Sequence, residues 1–156
     1  MNKHHVEIRD YRDSDQARAE QIHDLGRPIE LQGSCDPRAF VPLALDKTDR
    51  AEFLAAKKFV AELDNRVIGF IGIQPQEIGW LYVDPAYFRQ GAGRRLLTHA
   101  LNQISGQEKE REIEVHVLDG NDGARKLYES AGFVEANRFD VKNNGYSCTL
   151  IKLVRT

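Results

Sequence analysis

The stretch "YFRQGAGRRLL" at residues 87–97 has the residue types of an anion-binding turn. It lies between the strand-like segment "WLYVD" and a helix-like segment, so Gly91 and Gly93 fall at the predicted start of a helix. Glycine lets a backbone approach a ligand closely, and the free N–H groups of a helix N-terminus attract negative charge. Arg89, Arg94 and Arg95 are unfavourable beside a bare helix N-terminus but favourable around a phosphate. The stretch indicates a phosphate site, although a glycine turn with solvated arginines explains the same residues.

The residues around the two glycines narrow the nature of the anion. No Lys followed by Ser or Thr comes after them, as the nucleotide P-loop requires, and the third glycine of the dinucleotide fingerprint is missing. ATP and NAD are therefore weak candidates for the bound anion, and a phosphate-binding nucleotide domain is the least favoured of the functions considered.

Other reactive side chains are scattered along the chain. His23, His99 and His116 are widely separated, and His116 in the alternating segment "IEVHVL" is interpreted as a structural residue rather than a metal ligand. Cys35 and Cys148 lie far apart without the paired spacing of a zinc site, which predicts two reduced thiols. We therefore expect no metal.

The overall composition predicts one soluble domain spanning residues 1–156, because 156 residues with 41% hydrophobic content suffice for one core. Lys and Arg number 22 against 24 acidic residues, and a net charge of -2 provides no global field for nucleic acid or an anionic bilayer. Apolar runs such as "VIGFIGI" are far shorter than a membrane helix, and the N-terminus lacks a signal-peptide core. We expect a cytoplasmic protein without nucleic-acid or membrane partners.

The first half of the chain begins with a predicted strand in "VEIRDY" and a helix in "DSDQARAEQIHDL", whose apolar positions are chiefly Ala17, Ile22 and Leu25. Three of the five prolines fall between Gly26 and Asp46, which predicts loops with short helical pieces there. A short helix around "RAEFLAA" follows. The segments "KKFVAELD", "RVIGFIGIQ" and "EIGWLYVD" are rich in branched and aromatic residues and predict an antiparallel meander.

The second half alternates between helix-like and strand-like segments. Apolar residues recur at helical spacing after the glycines, with Gly106 as the predicted stop. The segment "NDGARKLYESAGF" predicts a helix with Asn121 as N-cap and Gly132 as its stop, and the chain ends in a hairpin around Asn144-Gly145. Strands first and then alternation predict a mixed α/β sheet covered by helices.

Two of these segments carry a family resemblance. "EIGWLYVDPAYFRQGAGRRLL" resembles the signature of the GNAT superfamily of N-acetyltransferases, which reads Gln or Arg, two residues, Gly, any residue, then Gly or Ala. Gly91 and Gly93 match. Phe88 replaces the usual Gln or Arg and so removes one expected side-chain contact to a pyrophosphate, for which the neighbouring Arg89 is the candidate replacement. "NDGARKLYESAGF" resembles the family's second signature. The resemblance implies a GNAT-like α+β fold: a mixed, mostly antiparallel sheet of six to seven strands, about four flanking helices, and a splayed strand pair that forms the coenzyme slot.

The resemblance further implies that acetyl-CoA is the co-substrate. Its pyrophosphate is expected on the glycine turn, and its pantetheine arm beside the strand "LYV". The residues expected to contact the coenzyme are Leu81, Tyr82, Val83, Arg89, Gln90, Gly91, Ala92, Gly93, Arg94, Asn121, Ala124 and Tyr128. Among these, the amide of Leu81 is the expected donor to the acetyl oxygen, and the amide of Val83 is expected to bind the pantetheine.

Two catalytic residues are also implied by the resemblance. Glu77 stands where histone-type members of the family carry their general base, and an ordinary surface glutamate at a strand start is an equal alternative. Tyr128 matches the tyrosine that many members use as general acid toward the coenzyme sulfur. Without the resemblance, Tyr128 is a core residue on the same helical face as Ala124 and Leu127.

The function implied is transfer of acetyl from acetyl-CoA directly to a primary amine, in a ternary complex with general-base catalysis. A non-catalytic acyl-CoA sensor or interaction module is the alternative, to which Phe88 gives weight. The segment from Gly26 to Phe53 is expected to line the acceptor side, but it matches no recognition pattern, so the amine remains unidentified. Since many members dimerise, the resemblance also suggests a homodimer.

Overall fold

The computed structural model describes residues 5–105 and 112–156, with seven strands, four α-helices and short 3-10 turns in those ranges. None of the helices within these ranges has the length and apolar character needed to cross a membrane. In chain order the elements are β1 Glu7–Asp10, α1 Gln16–Leu31, α2 Lys47–Ala55, β2 Lys57–Leu63, β3 Arg66–Gln74, β4 Glu77–Val83, α3 Ala92–Ser105, β5 Ile113–Leu118, α4 Asp122–Ser130, β6 Val134–Asn143 and β7 Tyr146–Arg155.

The strands form one sheet in the order β1-β2-β3-β4-β5-β7-β6. Neighbouring strands are antiparallel except β4 and β5, which are parallel. The hairpin turns at Asp64-Asn65 and Asn144-Gly145 have positive φ at both central residues, as two-residue hairpin turns require. The predicted fold class, a mixed and mostly antiparallel sheet with helices, is confirmed.

Helices cover both faces of the sheet, because strand residues alternate between two apolar clusters. On one face the sheet packs against α3 and α4, and on the other against α1 and α2. The α3 stripe predicted from helical spacing is buried in full, and it comprises Ala92, Leu96, Leu97, Ala100, Leu101 and Ile104. The predicted helix stop at Gly106 lies outside the described residues.

Helix α1 differs from the prediction in its length and its buried face. It runs through Gly26 and Pro28 to Leu31, where a loop was expected. A Cβ at Gly26 would lie 2.9 Å from Cδ1 of Tyr82, so glycine lets the helix approach β4 closely. Pro28 removes only one backbone donor, which a packed helix tolerates. Of the three predicted apolar positions only Ile22 is buried, since Ala17 and Leu25 are exposed.

The two cysteines meet in a third, smaller cluster between the end of α1 and β7. Both Cys35 and Cys148 are free thiols, and burial raises the pKa of the Cys148 thiol. The fold therefore brings together two cysteines that lie far apart in the sequence.

Candidate active site

A cleft of about 840 Å³ opens where β4 and β5 separate. These strands pair only at Glu77 with Glu114 and at Ile78 with Val115, and beyond that point they diverge. The cleft continues between α1 on one side and the starts of α3 and α4 on the other. The splayed pair expected from the resemblance is thus present.

A bulge at Gly79 determines which groups of β4 face this cleft. On the β3 side Gly72 pairs with Trp80 and Ile73 with Ile78, so Gly79 is the extra residue. The Asp84 N–H donates to the Ile68 carbonyl at 2.8 Å, that is, towards β3. Because successive N–H groups of a strand alternate in direction, the amides of Leu81 and Val83 point away from β3 and towards the cleft.

The glycine turn, residues 89–94, forms the end of the cleft next to α3. Arg89 and Gly91 have φ of +67° and +82°, a conformation that glycine adopts without strain. Helix α3 begins at Ala92, and the first N–H groups of a helix have no acceptor within it, so they remain available to an anion. The residues of the turn that line the cleft are Arg89, Gly91, Ala92, Gly93 and Arg94.

Three side chains near the turn differ from what the sequence suggests. Gln90 does not line the cleft. Arg95 donates to the Val6 carbonyl at 3.1 Å, so the prediction that it faces a phosphate is wrong. Phe88, 47% exposed, presents its ring at the cleft instead of the usual Gln or Arg.

Asp84 fixes the turn that leads from β4 to the glycines. Its carboxylate accepts hydrogen bonds from the Ala86 N–H at 2.9 Å and from Arg18 of α1 at 2.6 Å. Burial alone would raise the pKa of Asp84, but these hydrogen bonds outweigh it and hold the pKa below its ordinary value. The pair therefore ties α1 to the entrance of the glycine turn, a contact that no local motif predicts.

Tyr128 of α4 is 5% exposed, and it lines the cleft. Burial, together with the charge of Glu30, raises the pKa of its hydroxyl well above the ordinary value, so the group keeps its proton at neutral pH. Asn121 caps α4 by accepting from the Ala124 N–H at 3.5 Å, and both residues line the cleft, as do Leu81, Tyr82 and Val83.

Glu30, near the end of α1, is a cleft residue that no sequence motif singles out, although it lies in the segment from Gly26 to Phe53 that is expected to line the acceptor side. Its carboxylate accepts hydrogen bonds from Arg27 at 3.0 Å, from the Tyr82 hydroxyl, and from the Asn121 amide at 3.5 Å. Burial and the nearby carboxylate raise the pKa of Tyr82 well above its ordinary value. Glu30 therefore joins α1, β4 and α4 across the cleft. Its role could be predicted only if α1 were predicted to continue past Pro28.

Glu77, the predicted base, is not among the residues that line the cleft, whereas His116 is. Oε2 of Glu77 lies 3.4 Å from Nδ1 of His116, and Oε2 of Glu114 lies 3.4 Å from Nε2. The structure therefore places His116 in the site, although the sequence was interpreted as giving it a structural role. One ligand atom from each of the three residues lies within 4.8 Å of the others, a spacing that could also hold a metal ion.

Comparison with known proteins supports the resemblance. The sequence profile of a family described as "Acetyltransferase (GNAT) domain" matches residues 55–135. A ribosomal protein bS18 alanine N-acetyltransferase of Escherichia coli K12 is 39% identical over 67 residues, 43% of each chain, and that of Haemophilus ducreyi is 36% identical over 66 residues, 42% of this chain and 43% of the relative. The alignment thus spans less than half the length of these curated relatives.

Solved structures show the same fold over nearly the whole chain. A GCN5-related N-acetyltransferase from Rhodopseudomonas palustris superposes with a TM-score of 0.83 at 22% identity, covering 100% of this chain and 98% of the other. The putative acetyltransferase yncA of Salmonella typhimurium, solved with acetyl-CoA, gives 0.71 at 19% identity, with 96% and 92% covered. Nothing in these comparisons supports a non-catalytic acyl-CoA-binding module. The chain therefore belongs to the GNAT acetyltransferase domain family.

Proposed function

We propose that this protein transfers an acetyl group from acetyl-CoA directly to a primary amine, with both substrates bound at once in the cleft. The observation that carries this proposal is the splay of β4 from β5, with the Leu81 and Val83 amides directed into it beside the glycine turn. In this proposal the turn binds the pyrophosphate, and the Val83 amide binds the pantetheine. Holding both reactants in one cleft supplies much of the acceleration.

The thioester carbonyl is activated by the backbone in this proposal. The Leu81 N–H donates to the carbonyl oxygen, and its hydrogen bond strengthens as the amine attacks and the oxygen becomes negative. Losing one such donor costs about 3 to 4 kcal/mol in other enzymes. No side chain is needed for this step, which agrees with the varied residue types along β4.

Tyr128 is proposed to protonate the departing sulfur. When the carbon–sulfur bond breaks, its electron pair moves to sulfur, and the resulting thiolate needs a proton. The raised pKa of Tyr128 keeps the hydroxyl protonated until that moment. Its position in the cleft wall on α4, beside the coenzyme contacts proposed for Asn121 and Ala124, supports this role.

The acceptor side of the cleft is formed by α1 and by the side chains of β4 and β5 that face it. The relatives are named for acetylating an alanine of ribosomal protein bS18, so a peptide amino terminus is the first acceptor class to test. Small-molecule amines and protein lysines are the other classes.

Calorimetry with CoA, ATP and NAD, followed by an acetyl-transfer screen that detects thiol release, tests the proposal. We expect binding of CoA and acetyl-CoA but not of the two nucleotides, and thiol release that depends on an added amine. Binding of ATP or NAD with indifference to CoA would refute the coenzyme assignment. CoA binding without transfer to any peptide, small amine or lysine would refute the enzymatic one.

A further inference from the structure

One side chain on the acceptor side of the cleft combines access to the substrate with a route to water. His116 lines the cleft, whereas Glu77 and Glu114, its two carboxylate neighbours, do not. The side chains of these glutamates are 36% and 35% exposed, compared with 27% for His116. The imidazole therefore lies between the cleft and two carboxylates that contact solvent.

The strand geometry explains why these three side chains meet. Val115 and Val117 are buried on the α3 side of the sheet, so Glu114 and His116 point to the opposite face, which α1 covers. Glu77 pairs with Glu114, one position before the last pairing between β4 and β5, and its neighbour Ile78 is buried on the α3 side. The cluster therefore lies on the acceptor face, where the two strands begin to separate.

The contacts leave the imidazole able to take up a proton. Both carboxylate distances are 3.4 Å, longer than an ordinary hydrogen bond to a ring nitrogen, so a nitrogen lone pair remains available. An imidazolium formed there is attracted by both carboxylates. The other groups that face it are the ring of Phe139 on β6, with centroids 6.4 Å apart, and Lys152, its cross-strand neighbour on β7.

We propose that His116 accepts the proton that the acceptor amine loses, and that Glu77 and Glu114 are positioning residues that orient the ring and pass the proton to water. This inference rests on the proposed acetyl transfer. As the nitrogen lone pair forms the carbon–nitrogen bond and the carbon–sulfur bond breaks, one N–H proton moves to His116, while Tyr128 supplies the proton that sulfur takes up. His116 then releases its proton to water through either carboxylate, and Tyr128 takes up a proton from water, so charge and protons balance over the cycle.

The test compares the pH profiles of kcat/KM for His116→Gln, Glu77→Gln and Glu114→Gln, using the amine found in the acetyl-transfer screen. We expect His116→Gln to lower kcat/KM about 100-fold at neutral pH. It should also change the acidic limb, which is the fall in kcat/KM as the pH decreases, by removing the part that comes from the enzyme and not from protonation of the amine. Each Glu→Gln variant is expected to keep the acidic limb and to lower kcat/KM by less than His116→Gln does, because the base itself is retained. CoA affinity stays unchanged in all three, which also shows that they fold.

Two further measurements separate a chemical role from a structural one. Imidazole added to His116→Ala is expected to restore part of the lost rate, and His99→Gln, a matched change on α3 outside the cleft, is expected to leave kcat/KM unaltered. If His116→Gln does not fold, His116→Asn and the imidazole rescue of His116→Ala carry the test.

Three results would overturn the inference, each in a recognisable way. Full activity in His116→Gln, with activity lost in Glu77→Gln, would make Glu77 the base. Loss of wild-type activity with a chelator, restored by Zn²⁺, would make the three side chains metal ligands. A wild-type protein that binds no CoA would remove the proposed function itself and the inference with it, a result distinct from the other two.

Discussion

The two halves of the cleft are built from different kinds of group. The half proposed to bind the coenzyme, called the coenzyme half and formed by the glycine turn and the Leu81 and Val83 amides, presents mainly backbone N–H groups. The acceptor half presents side chains that come together from distant positions, namely Glu30 from α1 and the cluster of Glu77, Glu114 and His116. Backbone groups are positioned by local conformation, whereas a side-chain cluster depends on strand register and helix packing. The comparison explains why one half is conspicuous in the sequence and the other is not.

The largest effect is expected where the two halves are joined. Asp84→Asn removes the charge that Arg18 binds, and it leaves a guanidinium only 16% exposed without its partner. Breaking a buried ion pair on one side costs several kcal/mol, so we expect the free energy of unfolding to fall by about 3 kcal/mol. Chemical denaturation measures this. Asp36→Asn is the matched control, because its partner Arg38 is 75% exposed, and a much smaller change is expected there.

The same pair predicts a dependence of stability on pH. Since the folded pKa of Asp84 lies below the ordinary 3.8, its contribution is present above that pH and is lost as the pH falls through the folded value. Wild-type protein should therefore lose more stability than Asp84→Asn over that acidic range. Parallel pH curves for the two proteins would show that the pair contributes nothing.

The next largest effect is on turnover. Tyr128→Phe keeps the buried ring but removes the proton donor, so we expect kcat to fall about 100-fold while the Kd for CoA is kept. Tyr146→Phe, in the small cluster near the cysteines and outside the cleft, is the control. An unchanged kcat in Tyr128→Phe would make this tyrosine a core residue only.

A smaller effect should be confined to the coenzyme half. A Cβ at Gly93 would lie 3.6 Å from Leu127 and 3.9 Å from Val83, which are ordinary contacts, so Gly93→Ala should fold and even gain up to about 1 kcal/mol of helix stability. Gly93 lines the cleft at the turn proposed to bind the pyrophosphate, so we expect the added methyl to weaken CoA binding about tenfold by calorimetry, or about 1.4 kcal/mol. Asn102→Ala, exposed on the same helix, controls for helix propensity. Equal CoA affinity in both variants would place the coenzyme elsewhere.

The smallest effect should be confined to the acceptor half. Glu30→Gln keeps the shape of the side chain but converts charge-assisted hydrogen bonds into neutral ones, which should lower stability by about 1 kcal/mol. Because this wall faces the acceptor, we expect the acceptor KM to rise a few-fold with CoA affinity unaltered. Glu20→Gln, also on α1 but outside the cleft, should leave both constants unchanged. A change in CoA affinity instead would erase the distinction between the halves.

Much of the fold follows from local sequence patterns. The meander β2 to β4, the buried stripe of α3, the Asn121 cap and the last hairpin are confirmed, because each depends on residues close together in the chain. The end of α1 was predicted wrongly, since Gly26 and Pro28 usually interrupt a helix. Here the ring of Tyr82, from a distant strand, packs where a side chain at Gly26 would otherwise lie. Tertiary contacts of this kind override local preference.

The candidate site also contains residues that local motifs identify and residues that only tertiary contacts bring into place. The resemblance placed Gly91, Leu81 and Tyr128 in one region, and the structure brings them to one cleft. Glu30 and His116 were missed, because their significance depends on the end of α1 and on the register between β4 and β5. Arg95 was misplaced for a similar reason. Its position on the helix suited an anion, but its guanidinium donates to the carbonyl of Val6, just before β1.

The single extra residue at Gly79 gives β4 a property that no side chain encodes. Residues two apart in a regular strand share a face, but across this bulge Ile78 packs on the α3 side and Trp80 on the α1 side. The bulge thereby selects which alternate amides of the outer strand, those of Leu81 and Val83, remain unpaired with β3 and open to the cleft.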